Sequence, residues 1–309
     1  MTEQLSAAEL DLLSEIAGMH GMPKGAFNIR RDGELVERNS SANIEISTKT
    51  GEPGIDIKIA AGTKGETVYI PVIVTQSGIK DVVYNTFYIG EDCDVKIIAG
   101  CGIHNDGHAA SEHDGIHSFY CGARSHVTYI ERHYGEGDGS GERILNPTTN
   151  VYMEQDSVCE MEMVQLRGVS STVRDTNAEL AQGAKLVLTE KLLTHGKQTA
   201  ESNMRVDLNG EGSSVQVISR SVAQDDSIQI FNPLVIGNTA CKGHVQCDAI
   251  IMGNAKVKAI PGIEAASEDA MLVHEAAIGK IAGDQIVKLM TLGLTEEEAE
   301  EEILEDFLN

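Results

Sequence analysis

Cys159-Glu-Met-Glu-Met163 alternates apolar and acidic residues with a period of two, and the same alternation recurs along most of the chain. Asn43-Ile-Glu-Ile-Ser47, Ile55-Asp-Ile-Lys-Ile59, Val95-Lys-Ile-Ile98, Val127-Thr-Tyr-Ile130, Val215-Gln-Val-Ile218 and Val257-Lys-Ala-Ile260 all show it. Successive side chains of a strand point to opposite faces, so each run reads as a short strand bounded by turn formers. Between about Asn43 and Glu275 such runs leave no room for helices of ordinary length, which argues against a doubly wound α/β sheet. A second spacing is superimposed. Strands open at Val95, Val127, Val158, Leu186, Val215 and Val245, at intervals of 32, 31, 28, 29 and 30 residues. A near-constant period of this length predicts stacked coils, each burying its inner face against its neighbours. A parallel β-helix fits, and the missing hexapeptide repeat argues against the left-handed type. A β-sandwich is the alternative reading of the strand pattern.

Outside this core the pattern is helical. Ser6 with Glu9 forms a capping box for a helix over 6–19, with Leu10, Leu13, Ile16 and Ala17 as its apolar stripe and Gly18, Gly21 and Pro23 ending it. From Gly283 a helix through Leu292 carries Ile286, Leu289 and Met290 and closes at Gly293. Thr295 and Glu298 then cap a second helix, striped by Ala299, Ile303 and Phe307 with Leu304 and Leu308. Eight acids between Glu296 and Asp306 cover its other faces. This tail either folds back on its own domain or docks a partner. The expected division is an N-terminal helical segment (1–40), a β-helix core (41–282) and a C-terminal helical docking region (283–309).

Composition bounds the function. The 309 residues carry 24 basic and 48 acidic side chains, a net charge of -24. That disfavours nucleic acid and anionic membranes, both of which select Lys and Arg. No apolar run spans a bilayer and no basic-then-apolar leader opens the chain, so a cytoplasmic protein is expected. Six Cys occur without a CxxC pair, and read as reduced thiols that mostly serve as small core hydrophobes. With no Trp, the core is expected to be built of Val, Ile, Leu, Ala and Met. No Walker A motif, GxSxG elbow or HExxH is present, so any nucleotide chemistry belongs to another chain.

Two constellations remain. Cys101, His104, His108, His113, His117 and Cys121, followed by His126 and His133, place imidazoles and thiols close together. They read either as the polar outer face of the solenoid or as a mononuclear metal site using Cys101, His104, His108 and His117. In the second, Cys247 precedes His274-Glu275 by about one coil. That spacing allows them to lie on adjacent strands and form a site, although only one of the pair can share the face of Cys247 in a regular strand; the alternative reading is ordinary surface and core residues.

The residues around this second group carry a family resemblance. Gly243-His-Val-Gln-Cys247-Asp-Ala-Ile-Ile-Met-Gly253 resembles a strand of the SufB/SufD family. Ile260-Pro261-Gly-Ile263 and Asp269-Ala-Met-Leu-Val-His274-Glu275-Ala276 followed by Gly279-Lys280-Ile281 resemble its signature, as do Asp284-Gln285-Ile286, Leu289, Gly293-Leu294, Ala299 and Ile303. Upstream, Gly100-Cys-Gly-Ile-His104-Asn, His113-Asp114-Gly-Ile116-His117 and His133-Tyr134-Gly135 are similar to short archaeal SufB-like proteins. The resemblance covers roughly residues 90 to 309. Val273 stands where SufB proteins often have Glu, Lys288 where Tyr is usual, and Asp306 where Gly is usual.

The resemblance implies a right-handed parallel β-helix with a helical C-terminal region, acting as a minimal SufB-like (SmsB-like) scaffold rather than an enzyme. It implies a transient iron–sulfur cluster, [4Fe–4S] or [2Fe–2S], held by Cys247 with His274 or Glu275 as metal ligands. The implied partners are a SufC-type ATPase docked through Ala299, Ile303 and Phe307, a second copy joined at the C-terminal end of the β-helix, and recipient apo-proteins. One Cys per chain cannot supply the usual four ligands, whereas a two-fold axis doubles every ligand. A polysaccharide-cleaving β-helix enzyme is the alternative, poorly supplied with sugar-stacking aromatics at seven Tyr and five Phe. The mononuclear metal protein is the other.

Overall fold

The computed structural model describes residues 5–308. The outermost positions of both expected terminal segments, 1–4 and 309, lie outside the described residues. The core is a parallel β-solenoid of about eight coils, flattened into two sheets. One sheet has ten strands and runs from the hairpin Ala26–Arg31/Glu34–Asn39 to the last strand, Met271–Gly279. The other has eleven and runs from Ile44–Thr48 to Lys256–Ala259. Pairing is parallel between coils. It is antiparallel only at the N-terminal end, where the hairpin and Ile44–Thr48 close off the first coil. Strand structure therefore begins at Ala26, earlier than the alternation in sequence showed, because residues 26–29 are all buried and carry no period-two pattern.

Coil register is a backbone property that differs slightly from the spacing read in sequence. Val95, Val127, Cys159, Leu186, Val215, Gly243 and Leu272 form one in-register inner column. Val158 stands one residue before this column and Val245 two after it. A one-residue offset reverses the face, so Val158 points outward and Cys159 inward. Coil lengths vary because the turns vary, yet each turn on one edge repeats a device. A residue in the left-handed region donates its N–H to a carbonyl of the next coil, as Asp92 does to Ala123 (3.0 Å) and Arg124 to Gln155 (2.9 Å).

Helix α1 (Ala7–Ala17) has the Ser6–Glu9 capping box and a left-handed Gly18 at its C-terminal cap. It lies on the outer face of Asp94–His104 and His126–Glu136. Its buried stripe is Leu12, Leu13, Ile16 and Ala17, whereas Leu10, expected in the stripe, is 43% exposed. Gly100 and Gly102 make room for the helix. A methyl on Gly100 would meet the Ile16 and Arg132 carbonyl oxygens, both at 2.7 Å. Gly100→Ala should therefore push α1 off the sheet and cost about 1–3 kcal/mol, the usual range for overpacking. Urea midpoints check this. Gly283→Ala, where nothing lies within 4 Å, is the control and should be near neutral.

The lumen is filled mainly with Val, Ile, Leu, Ala and Met, as expected, together with a Phe87–Phe119–Tyr129 aromatic stack. All six cysteines are buried free thiols. Helices α2 (Gly283–Met290) and α3 (Glu296–Leu308) follow the last strand. The Thr295–Glu298 capping box is formed, and Gly293 is left-handed. Leu304 and Leu308 of α3 bury against Val222 on the outer face of the first sheet.

Candidate functional site at the last coil

Strand Lys242–Ile251 pairs in parallel with Met271–Gly279, and the register sets which site residues meet. Cys247 lies opposite Ala276, Val245 opposite His274, and Gln246 opposite Glu275. Along Lys242–Ile251 the buried residues are Gly243, Val245, Cys247 and Ala249, so Cys247 faces the lumen. His274 shares that face one coil on and two residues back. From the spacings within and between strands, this is a Cα separation of about 8 Å. Glu275 faces outward instead, where its carboxylate accepts a hydrogen bond from His244 Nε2 at 2.8 Å. Within one chain, then, Cys247 and His274 share the lumen face, and Glu275 is held on the other side of the sheet.

The electrostatics follow from this placement. Cys247 is 2% exposed, and burial, reinforced by the Asp248 and Glu190 carboxylates, pushes its thiol up to about 11. The free thiol is thus protonated at neutral pH, and a metal would have to displace that proton. Burial lowers the pKa of His274, keeping its ring neutral. Its Nε2 is shielded from solvent and has no hydrogen-bond partner among the described residues. A neutral imidazole with an unused ring nitrogen is suited to a metal. Beyond it the lumen is open. Ala276 and Ile278 face inward by register but are exposed, Ile278 by 41%.

Behind Cys247 lies a charged column that no motif in the sequence marks. One inward column runs Glu131, Met163, Glu190, Ser219, Cys247 through successive coils. Glu131 is buried, and burial alone would raise its pKa. Instead His133 and the Arg174 guanidinium, which donates to it, hold it well below the carboxylate range. Glu190 is also buried, which raises its pKa, and it accepts from the Ser202 hydroxyl at 3.0 Å. The available signal was the alternation itself, since Glu190 keeps the inward register of Leu188 and Leu192.

The histidine-rich segment splits between the two faces. His104, His108 and His126 are outside, as the surface reading expected. His113, His117 and His133 are inside and only 5–6% exposed, which corrects that reading for these three. Burial lowers His117 to about 4 and His133 to about 3. Cys101, His104, His108 and His117 do not assemble into a mononuclear site. Cys101 is buried, His104 is tied to Glu136 and Asp106 at the surface, and His117 bonds Tyr129 and Asn85 in the lumen. No group of three or more His, Cys, Asp or Glu positioned for a metal occurs among the described residues.

In the tail, Ala299 is fully buried and Ile303 and Phe307 are half-buried, with the Phe307 carbonyl accepting from Arg220. Val287 (59%), Met290 and Leu292 (74%) of α2 and the following turn are exposed. No helix among the described residues is long and apolar enough to cross a membrane.

Comparison with known proteins agrees with this architecture. Residues 75–307 match the family model described as SUF system FeS cluster assembly, SufBD core domain. An iron–sulfur cluster assembly SufBD family protein of Methanocaldococcus jannaschii is 25% identical over 296 residues, covering 94% of this chain and 92% of the relative. One from Pyrococcus horikoshii is 27% identical over 296 residues, covering 95% and 84%. One from Methanothermobacter thermautotrophicus is 27% identical over 230 residues, covering 73% and 55%. A solenoid ending in an open coil, with a cysteine and a histidine facing its lumen, is in this chain the core of a member of the SufBD family of iron–sulfur cluster assembly proteins.

Proposed function

We propose that this chain is the scaffold subunit of a SUF-type assembly complex, on which a [4Fe–4S] or [2Fe–2S] cluster is built as cargo and passed to recipient apo-proteins. The observation that carries the proposal is the shared lumen face of Cys247 and His274 at a coil whose end is open. Two copies meeting end to end would cover the free edge of Met271–Gly279 and the exposed Met271, Val273 and Ile278. They would also bring two Cys247 and two His274 toward one axis, completing four ligands. Glu275, on the outer face beside His244, is the exchangeable ligand once the last coil shifts. Mixed ligation holds a cluster less firmly than four thiolates, which suits a scaffold that must release it. The chain itself is not an enzyme, and it works in the cytoplasm, where its thiols stay reduced.

ATP hydrolysis belongs to a SufC-type partner docked on the helical tail. The exposed apolar residues of α2 and the turn after it add Val287 and Leu292 to the expected contacts at Ile303 and Phe307, while Ala299 supports α3 from within. Burying a Val or Leu contributes about 1.5–3 kcal/mol. The double variant Val287→Asp/Leu292→Asp should therefore lose co-purification with the ATPase by at least about tenfold while keeping its melting temperature. Undiminished complex formation would count against the docking site. Anaerobic purification of the wild-type complex, read by absorption and Mössbauer spectra, tests the scaffold role itself, and a complex free of iron and sulfide would refute it.

A further inference from the structure

The outer face of the second sheet carries a column that the assembly role does not use. Lys58, Tyr88, Tyr120, Tyr152, Glu179 and Asp207 stand in register on six successive coils. The tyrosine rings stack with centroids 5.5 and 5.0 Å apart and planes within 8° and 15°. All three are exposed, by 43%, 44% and 38%. They wall a groove of about 770 Å³ floored by Gly90, Gly122 and Ala181. The solenoid does not need large aromatic side chains there, since Glu179 and Asp207 occupy the same column on the next coils.

The chemistry of the groove is polarised. Stacking consumes the facing sides of the rings and leaves two outer faces, that of Tyr88 toward Lys58 and that of Tyr152 toward Glu179. Lys58 forms no ion pair among the described residues, and neither does Glu179. The nearby Arg205 spends two donors on Asp207. Glu154 also borders the groove, and its carboxylate accepts the Ala123 N–H and forms no ion pair with Lys or Arg among the described residues. One end therefore presents the Lys58 cation, with Glu45 across from it on the neighbouring strand and Asp56 beside it in the lining, and the other presents the Glu179 and Glu154 carboxylates, with Arg205 within electrostatic reach of Glu179, four strand spacings or about 19 Å apart. A guanidinium would fit between the Tyr152 face and the Glu179 carboxylate, gaining a cation–π contact and an ion pair together. A sugar, which needs open ring faces, is served poorly by rings that cover one another. An extended polypeptide of about six residues spans the distance between the charged ends. The chain's net charge of -24 would also draw a basic segment toward it.

We propose that this groove binds an extended segment of a partner protein, with an arginine seated between Tyr152 and Glu179 and a carboxylate about six residues away paired with Lys58. The full-length protein, panned against a displayed library of random linear peptides, tests this. The expected consensus carries Arg and an acidic residue at that separation. The consensus peptide, measured by fluorescence anisotropy, should bind Tyr152→Ala and Glu179→Gln at least about tenfold more weakly, with melting temperatures unchanged. No consensus, a consensus without Arg, binding indifferent to both variants, or displacement by an uncharged oligosaccharide would each overturn the proposal.

Discussion

Cys247→Ala, reconstituted anaerobically with iron and sulfide, should retain less than about a tenth of the cluster held by the wild type while remaining folded. The thiol is the soft, deprotonatable group on the lumen face of the open coil, and no second cysteine lies on its strand. Its replacement deletes one buried sulfur next to small neighbours, Ala276 across the coil boundary and Ser219 on the other side. The fold should therefore tolerate it at a cost of about 1 kcal/mol, far below the several needed to unfold a domain. His274→Ala should lose part of the cluster, since His274 shares the face of Cys247. Glu275→Ala should lose least at rest and show its effect in transfer, because its carboxylate is engaged with His244 on the other side. Iron and sulfide per chain, with the absorption spectrum, read all three. A full cluster on Cys247→Ala removes the basis of the assignment.

The second large effect lies in the charged interior. Arg174 is buried and donates to Glu131, with Glu190 also within electrostatic reach. Arg174→Met removes the cation and leaves Glu131 to the Tyr129 hydroxyl and neighbouring His133, and Glu190 to the Ser202 hydroxyl, without a permanent positive charge beside either. Breaking a buried pair from one side costs about 3–5 kcal/mol. Urea denaturation should show that loss, and adding Glu131→Gln should restore part of it. The same interior makes the protein acid-labile. His133 and His117 have folded pKa values of about 3 and about 4, whereas an unfolded imidazole titrates near 6.5. The unfolded chain therefore binds more protons between these limits, and stability falls as pH drops below about 6.5. Glu131, held low when folded, adds to the loss as pH passes the ordinary carboxylate range. The melting temperature should fall steadily from pH 7 to about pH 4.5, and His133→Gln should flatten that slope. An unchanged slope would mean that His133 does not control the acid limb.

Much of this architecture is legible in local sequence because its causes are local. Period-two alternation in runs such as Cys159–Met163 needs only the geometry of an extended backbone. The two capping boxes need only three-residue spacings, and both form at the residues expected. Helix α1 shows the limit. Its start was readable, but its buried face includes Leu12 rather than Leu10, because the approach permitted by Gly100 and Gly102 sets its rotation against the sheet.

Local patterning is enough to show that the chain makes stacked strands, where its helices are capped, and that Cys247 and His274-Glu275 stand about one coil apart. Tertiary structure alone decided that Cys247 meets Ala276, that His274 rather than Glu275 shares its face, and that His113, His117 and His133 point inward with Glu131 and Arg174. The physical reason is that alternation tells which residues share a face but not which face is inside when the lumen itself contains charge. Register between coils is set by turns of unequal length, and a shift of one residue exchanges inside for outside.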